Sequence, residues 1–137
     1  MTSSVLYTGS LRTEGTHLQS GSKIETDAPT DNNGRGERFS PTDLLATSLA
    51  SCMITVMGIK ARSLGVDLEG IKVVVEKKMK ADPRRVGGIN LAFTFPDALK
   101  NTSPRDRDVL KHTAVTCPVQ KSLHPDIDVQ IDWGAWQ

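Results

Sequence analysis

The segment from Ser40 to Gly65 constrains this chain more than any other. Ser40 can cap a helix, Pro41 suits its first position, and Asp43 completes an S-x-x-D capping box. Leu45, Leu49, Cys52, Val56 and Ile59 then recur at steps of four, three, four and three, which lays down one apolar stripe. The opposite face is small and uncharged (Ala46, Ser48, Ala50, Ser51), so a helix over 41–64 should be enclosed on most sides. Lys60 and Arg62 mark its last turn and Gly65 its C-terminal cap. The charge-free run from Leu44 to Ile59 is sixteen residues long, short of the roughly 18 that a bilayer span needs. The expectation is a buried helix of a soluble protein.

On either side of this helix the patterning is of the β type. Short runs at Ser4 to Tyr7, Leu11 to Leu18 and Ser22 to Thr26 precede a turn-forming segment, Asp27 to Arg38, expected to be a mobile loop. After it, Ile71 to Lys80 and the alternating Ile89, Leu91, Phe93 and Phe95 predict a hairpin joined by Ala81 to Gly88. A second capping box, Ser103 to Asp106, opens a helix to about Val115, and Pro118 opens a shorter one with Cys117 at or beside its N-cap. Ile127, Val129, Ile131 and Trp133 predict a half-buried last strand. Strands and helices are grouped, not alternating, so the class is α+β. No repeat or linker interrupts the chain, and one domain over 1–137 is expected.

Composition removes several function classes. Seventeen basic and sixteen acidic residues give a formal charge of +1, which argues against nucleic acid or an anionic membrane as partner. Six aromatic residues are too few for a base-stacking platform. His17, His112 and His124 share no ligand spacing, so no metal is expected, and no motif calls for a cofactor. Gly34 and Gly36 read as a flexible loop, and Lys77, Lys78 and Lys80 as a solvated strand end. Residues Met1 to Gly15 lack the apolar core of a signal peptide, which leads to a cytosolic address.

The two cysteines carry the chemical information. They stand 65 positions apart without a Cys-x-x-Cys, and in a reducing compartment distant cysteines are more often reactive than structural. Cys52 lies on the apolar stripe, where a free cysteine packs as a small hydrophobe and burial keeps it inert. Cys117, before Pro118 at a helix start, would face free N–H groups that favour thiolate. Local electrostatics thus nominates Cys117 as the more reactive thiol, and spacing leaves open whether the two meet.

Pro41-Thr42-Asp43-Leu44-Leu45-Ala46-Thr47-Ser48-Leu49-Ala50-Ser51-Cys52 resembles the central helix of the OsmC/Ohr family. Thr116-Cys117-Pro118-Val119 with Leu123-His124-Pro125 resembles the second cysteine motif of the same family, and the likeness spans nearly the whole chain. The resemblance implies antiparallel sheets around a long buried helix and an intertwined homodimer. It also implies a metal-free, cysteine-based peroxidase that reduces organic hydroperoxides. Cys52 would form a sulfenic acid, Cys117 would condense with it to a disulfide, and an external thiol would recycle the pair.

This reverses the ranking from local electrostatics, and is resolved if a guanidinium offsets the burial of Cys52. The family places an arginine and a carboxylate there. Arg38 is the first choice for the arginine, then Arg35 and Arg12, with Glu37 able to orient one of them. Asp43 stands for the carboxylate, although Thr42 occupies the position directly after the proline and Asp43 also has a role as a cap. The alternative is a non-catalytic small-molecule or partner-binding protein of the same fold.

Overall fold

In the computed structural model, which describes residues 1–137, the chain opens with three antiparallel strands, β1 (Ser3–Gly9), β2 (Arg12–His17) and β3 (Lys23–Asp27). Helix α1 (Pro41–Leu64) follows. Next come the hairpin β4 (Lys72–Lys80) and β5 (Arg85–Thr94), helices α2 (Pro104–Ala114) and α3 (Pro118–Ser122), and strand β6 (Asp128–Asp132). The class is α+β, as the grouping of elements implied. The chain divides into two units, Met1–Leu45 and Ala46–Gln137, and α1 runs through the boundary.

In the first unit the register of β2 and β3 places Arg12 opposite Asp27 and Thr13 opposite Thr26. The segment after β3, expected to be mobile, is instead wound onto itself. Ala28 N–H donates to Leu11 O at 3.0 Å, Gly34 N–H to Pro29 O at 2.9 Å and Gly36 N–H to Ala28 O at 3.2 Å, around a 3-10 turn at Thr30–Asn32. A Cβ on Gly34 would lie 1.7 Å from Ala28 O, so the winding requires glycine there. Turn-forming composition signals chain reversal, and here the reversal is tight. The capping box forms in full: Ser40 N–H donates to Asp43 Oδ2 at 2.9 Å, and Asp43 N–H to Ser40 Oγ at 3.0 Å.

In the second unit the buried face of α1 is Ala46, Leu49, Ala50, Met53, Met57 and Ala61. The predicted stripe is therefore rotated. Leu49 stays in the core, Cys52 and Val56 are half-buried, and Ile59 is 66% exposed. Periodicity weights leucine and isoleucine, whereas close packing selects alanine at the contact line and methionine to fill the gaps. Enclosure on most sides is not what a single chain provides. By length and composition α1 could cross a membrane, but its Ala46–Ala61 face packs into the core beside Ile89, Leu91 and Phe93 of β5, so it is a core helix. Gly65 ends it in the left-handed region (φ 67°), with Val66 N–H donating to Ala61 O at 3.0 Å.

Strand β5 is the middle of the second sheet. It pairs antiparallel with β4 and parallel with β6 (Ile89 with Val129, Leu91 with Ile131). The parallel pair corrects the expectation of purely antiparallel sheets. A parallel neighbour needs a crossover connection, which α2 and α3 supply. The hairpin turn is shorter than predicted, because β5 begins at Arg85 within the expected loop. Beyond β6, Trp136 stacks on Phe95 with centroids 4.0 Å apart and donates its indole N–H to Leu99 O at 3.0 Å.

Candidate active site

The last turn of α2 and the start of α3 fix Cys117. Pro118 preorganises the first position of α3, and Cys117 occupies its N-cap as predicted. The Cys117 N–H donates back to Ala114 O at 3.2 Å, and its Sγ accepts from Gln120 N–H at 3.3 Å. The side chain is fully buried, whereas Cys52, on α1, is half-buried. Both are free thiols, near enough for the Cys52 thiol to act directly on that of Cys117. Residues that the sequence leaves far apart are thus brought together by α1 and the α2–α3 turn.

The electrostatics of Cys117 overturns the reading from its local position. Burial pushes its thiol pKa up, the N–H groups of Gln120 and Val119 pull it down by less, and the neighbouring Cys52 raises it further. Cys117 is therefore a protonated thiol at neutral pH. The helix terminus is real, but a five-residue helix cannot outweigh the loss of water.

The arginines belong to the first unit. Arg12 grips Asp27 with both arms of its guanidinium, Nε to Oδ1 at 2.7 Å and Nη2 to Oδ2 at 2.8 Å. Asp27 is 1% exposed and also accepts Glu37 N–H at 3.2 Å, while the Glu37 carboxylate stands 4.0 Å from Arg12 Nη2. The Arg12 hydrogen bonds outweigh burial and hold the Asp27 carboxyl down at about 2; the same contact raises the Arg12 pKa. Arg38, first choice from sequence, instead pairs with Glu25 at 2.7 Å, with its side chain 45% exposed. Arg35 adds only a through-space charge to Asp27. Asp43 spends its carboxylate on the cap.

Sequence reasoning did not single out Asp27 or Gln120. Asp27 was legible in principle, since pairing the second and third runs with a turn at 18–22 sets it opposite Arg12. Gln120 carries a capping-box signal, glutamine three residues after the N-cap, that a cysteine cap disguises.

Two free thiols that interact directly, one buried and one half-buried, on an α+β scaffold define a class of small proteins with a potential dithiol–disulfide couple. Residues 34–132 match the family model described as OsmC-like protein. A structure from Psychrobacter arcticus, named as an osmotic stress induced and detoxification response protein, is 52% identical, with 96% of this chain and 94% of that chain covered at a TM-score of 0.91. The organic hydroperoxide resistance protein OsmC from Legionella pneumophila is 18% identical over 96% of both chains, TM-score 0.72. An OsmC-like protein from Mycoplasma pneumoniae is 14% identical over 95% of this chain and 92% of its own, TM-score 0.75. Among curated proteins, none matches. The chain belongs to the OsmC-like family.

Proposed function

We propose that this protein is a thiol-dependent peroxidase acting on organic hydroperoxides. The observation that carries the reading is the direct interaction of two thiols 65 positions apart in the chain, Cys52 and Cys117. The Cys52 thiolate attacks the terminal oxygen of R–O–O–H, the O–O bond breaks, and the leaving alkoxide takes a proton to become the alcohol. Cys52 is left as sulfenic acid. The Cys117 thiol then displaces the hydroxyl of the sulfenic acid, forming the disulfide and releasing water. An external dithiol reduces that disulfide by two exchange steps and is itself oxidised. Cys117 is fully buried and its raised pKa makes it the less reactive thiol, which suits a partner that reacts only after Cys52.

A thiolate at Cys52 requires a fixed positive charge. Of the three arginines the family resemblance offers, Arg12 has its head locked by a buried carboxylate and Arg38 is half-exposed, so Arg12 is the candidate to test first. Asp27 replaces Asp43 as the orienting carboxylate, because Asp43 is engaged in the cap. Leu49 and Met53, which flank Cys52 in sequence, are fully buried and closed to substrate. Val56 and Ile59, on the face of α1 that carries Cys52, are the apolar surface for an organic substituent.

A homodimer is part of the same reading. In the first unit Val5, Leu6 and Tyr7, and in the second Ile59, are each more than half exposed, apolar groups that a second copy of this chain would cover. Two free thiols also fit a reducing, cytosolic compartment.

The test is turnover. With a dithiol such as dithiothreitol in excess, the protein should convert cumene hydroperoxide to the alcohol catalytically, and Cys52→Ser should abolish it. Thiol titres unmoved by hydroperoxide would favour the non-catalytic binding protein, for which the cap role of Asp43 speaks.

A further inference from the structure

Gln120 stands three residues after the N-cap of α3, where glutamate or glutamine closes a capping box by reaching back to the N-cap N–H. Half of that box exists, since Gln120 N–H donates to Cys117 Sγ at 3.3 Å. The return half does not, because Cys117 N–H is donated to Ala114 O instead, at 3.2 Å. Gln120 Oε1 is consequently a buried acceptor with no donor. Buried polar atoms are almost always paired, and an orphan is costly to keep. This one lies one helical turn beyond a thiol whose bonding must change when it reacts.

Forming a disulfide draws the two sulfurs together to about 2.05 Å. The N-cap residue must follow its sulfur, which loosens the long Cys117 N–H bond to Ala114 O. We propose that Gln120 is the positioning residue of the resolving thiol: its N–H holds Cys117 Sγ in the dithiol, and its carboxamide oxygen receives the Cys117 N–H in the disulfide. The orphaned oxygen then burdens the dithiol alone, and Gln120 biases the couple toward the disulfide. This rests on the Cys52–Cys117 disulfide of the proposed function, but not on its hydroperoxide chemistry.

The experiment equilibrates wild type, Gln120→Met and Gln120→Glu in glutathione buffers of graded ratio, then quenches, alkylates and weighs the chains. The reaction is balanced: two thiols and one glutathione disulfide give the intramolecular disulfide and two glutathione thiols. Gln120→Met keeps the side-chain length and loses the acceptor, so its equilibrium should move about tenfold toward dithiol, equivalent to roughly 30 mV. Gln120→Glu keeps an oxygen at that place and should stay within about twofold of wild type, consistent with glutamate serving equally in capping boxes. A purely structural role would change melting temperature without this split between Met and Glu. Should Gln120→Met fail to fold, Gln120→Ala should show the same shift. An acceptor-free variant within about twofold of wild type overturns the inference, as does a wild type that forms no intramolecular disulfide at any ratio. A wild type inert to hydroperoxide that still forms the disulfide overturns the proposed function alone.

Discussion

Cys52 acts directly on the thiol of Cys117 although one sits mid-helix and the other caps a helix 65 residues later. In the proposed cycle that relationship would let one sulfur resolve the other, and it sets distinct expectations for each thiol.

Cys117 should be the slower thiol toward alkylation. It is fully buried and its pKa is raised, chiefly by burial, so iodoacetamide at neutral pH should label Cys52 first. Mass mapping of partly labelled protein reads the order. Because the raised pKa belongs to the folded state, its contribution to stability is full below the unfolded thiol value and fades as pH rises through the folded one. Urea midpoints should therefore fall on the alkaline side, and less so in Cys117→Ser.

Removing Cys117 should separate the two chemical steps. In Cys117→Ser, one equivalent of cumene hydroperoxide should leave Cys52 as a sulfenic acid that dimedone traps, whereas wild type should trap little. Equal trapping in both would mean that Cys117 does not resolve Cys52.

Asp27 should govern acid stability. Its folded pKa is depressed to about 2 by Arg12, so its stabilisation is present above the unfolded carboxylate range and is lost as pH falls from there toward 2. Denaturation midpoints followed from neutral pH downward should decline in wild type and be flatter in Asp27→Asn. Arg12→Met should also slow the first turnover by at least about tenfold, the scale of losing one pKa unit of thiolate stabilisation, while Arg38→Met should not.

The cap of α1 should be a matter of stability alone. Ser40→Ala and Asp43→Ala each remove one bond of a complete capping box, and each should cost about 1 kcal/mol in chemical denaturation. Asp43→Asn should leave single-turnover peroxidation within about threefold, half a pKa unit at most. A loss of a hundredfold would return Asp43 to the catalytic role.

Charge at Ile59 should report on assembly. Ile59 is 66% exposed on one chain, and Ile59→Glu should shift light-scattering mass from dimer to monomer at micromolar concentration. Wild type already monomeric there would contradict the homodimer.

How much of this the sequence carried depends on the kind of signal. The bounds of α1, 41–64, followed from local chemistry at both ends, a capping box and a C-terminal glycine, and the structure places them at the same residues. The N-cap position of Cys117 followed likewise from Pro118. What was not legible depended on packing. The core side of α1 turns on the contact line of Ala46, Ala50 and Ala61, which a hydrophobic pattern undervalues. The parallel direction of β6 leaves no trace in an alternating strand. Burial, too, decided the Cys117 pKa against its helix terminus. The partnership of Arg12 and Asp27 was legible only once the second and third runs are paired, since single-strand patterns do not specify register.

The central claim is tested most directly by peptide mapping after one equivalent of cumene hydroperoxide per reduced chain. The account predicts near-complete loss of both free thiols and a linked pair of peptides holding Cys52 and Cys117 of a single chain. Unchanged thiols, or oxidation of either cysteine without that linkage, would contradict it.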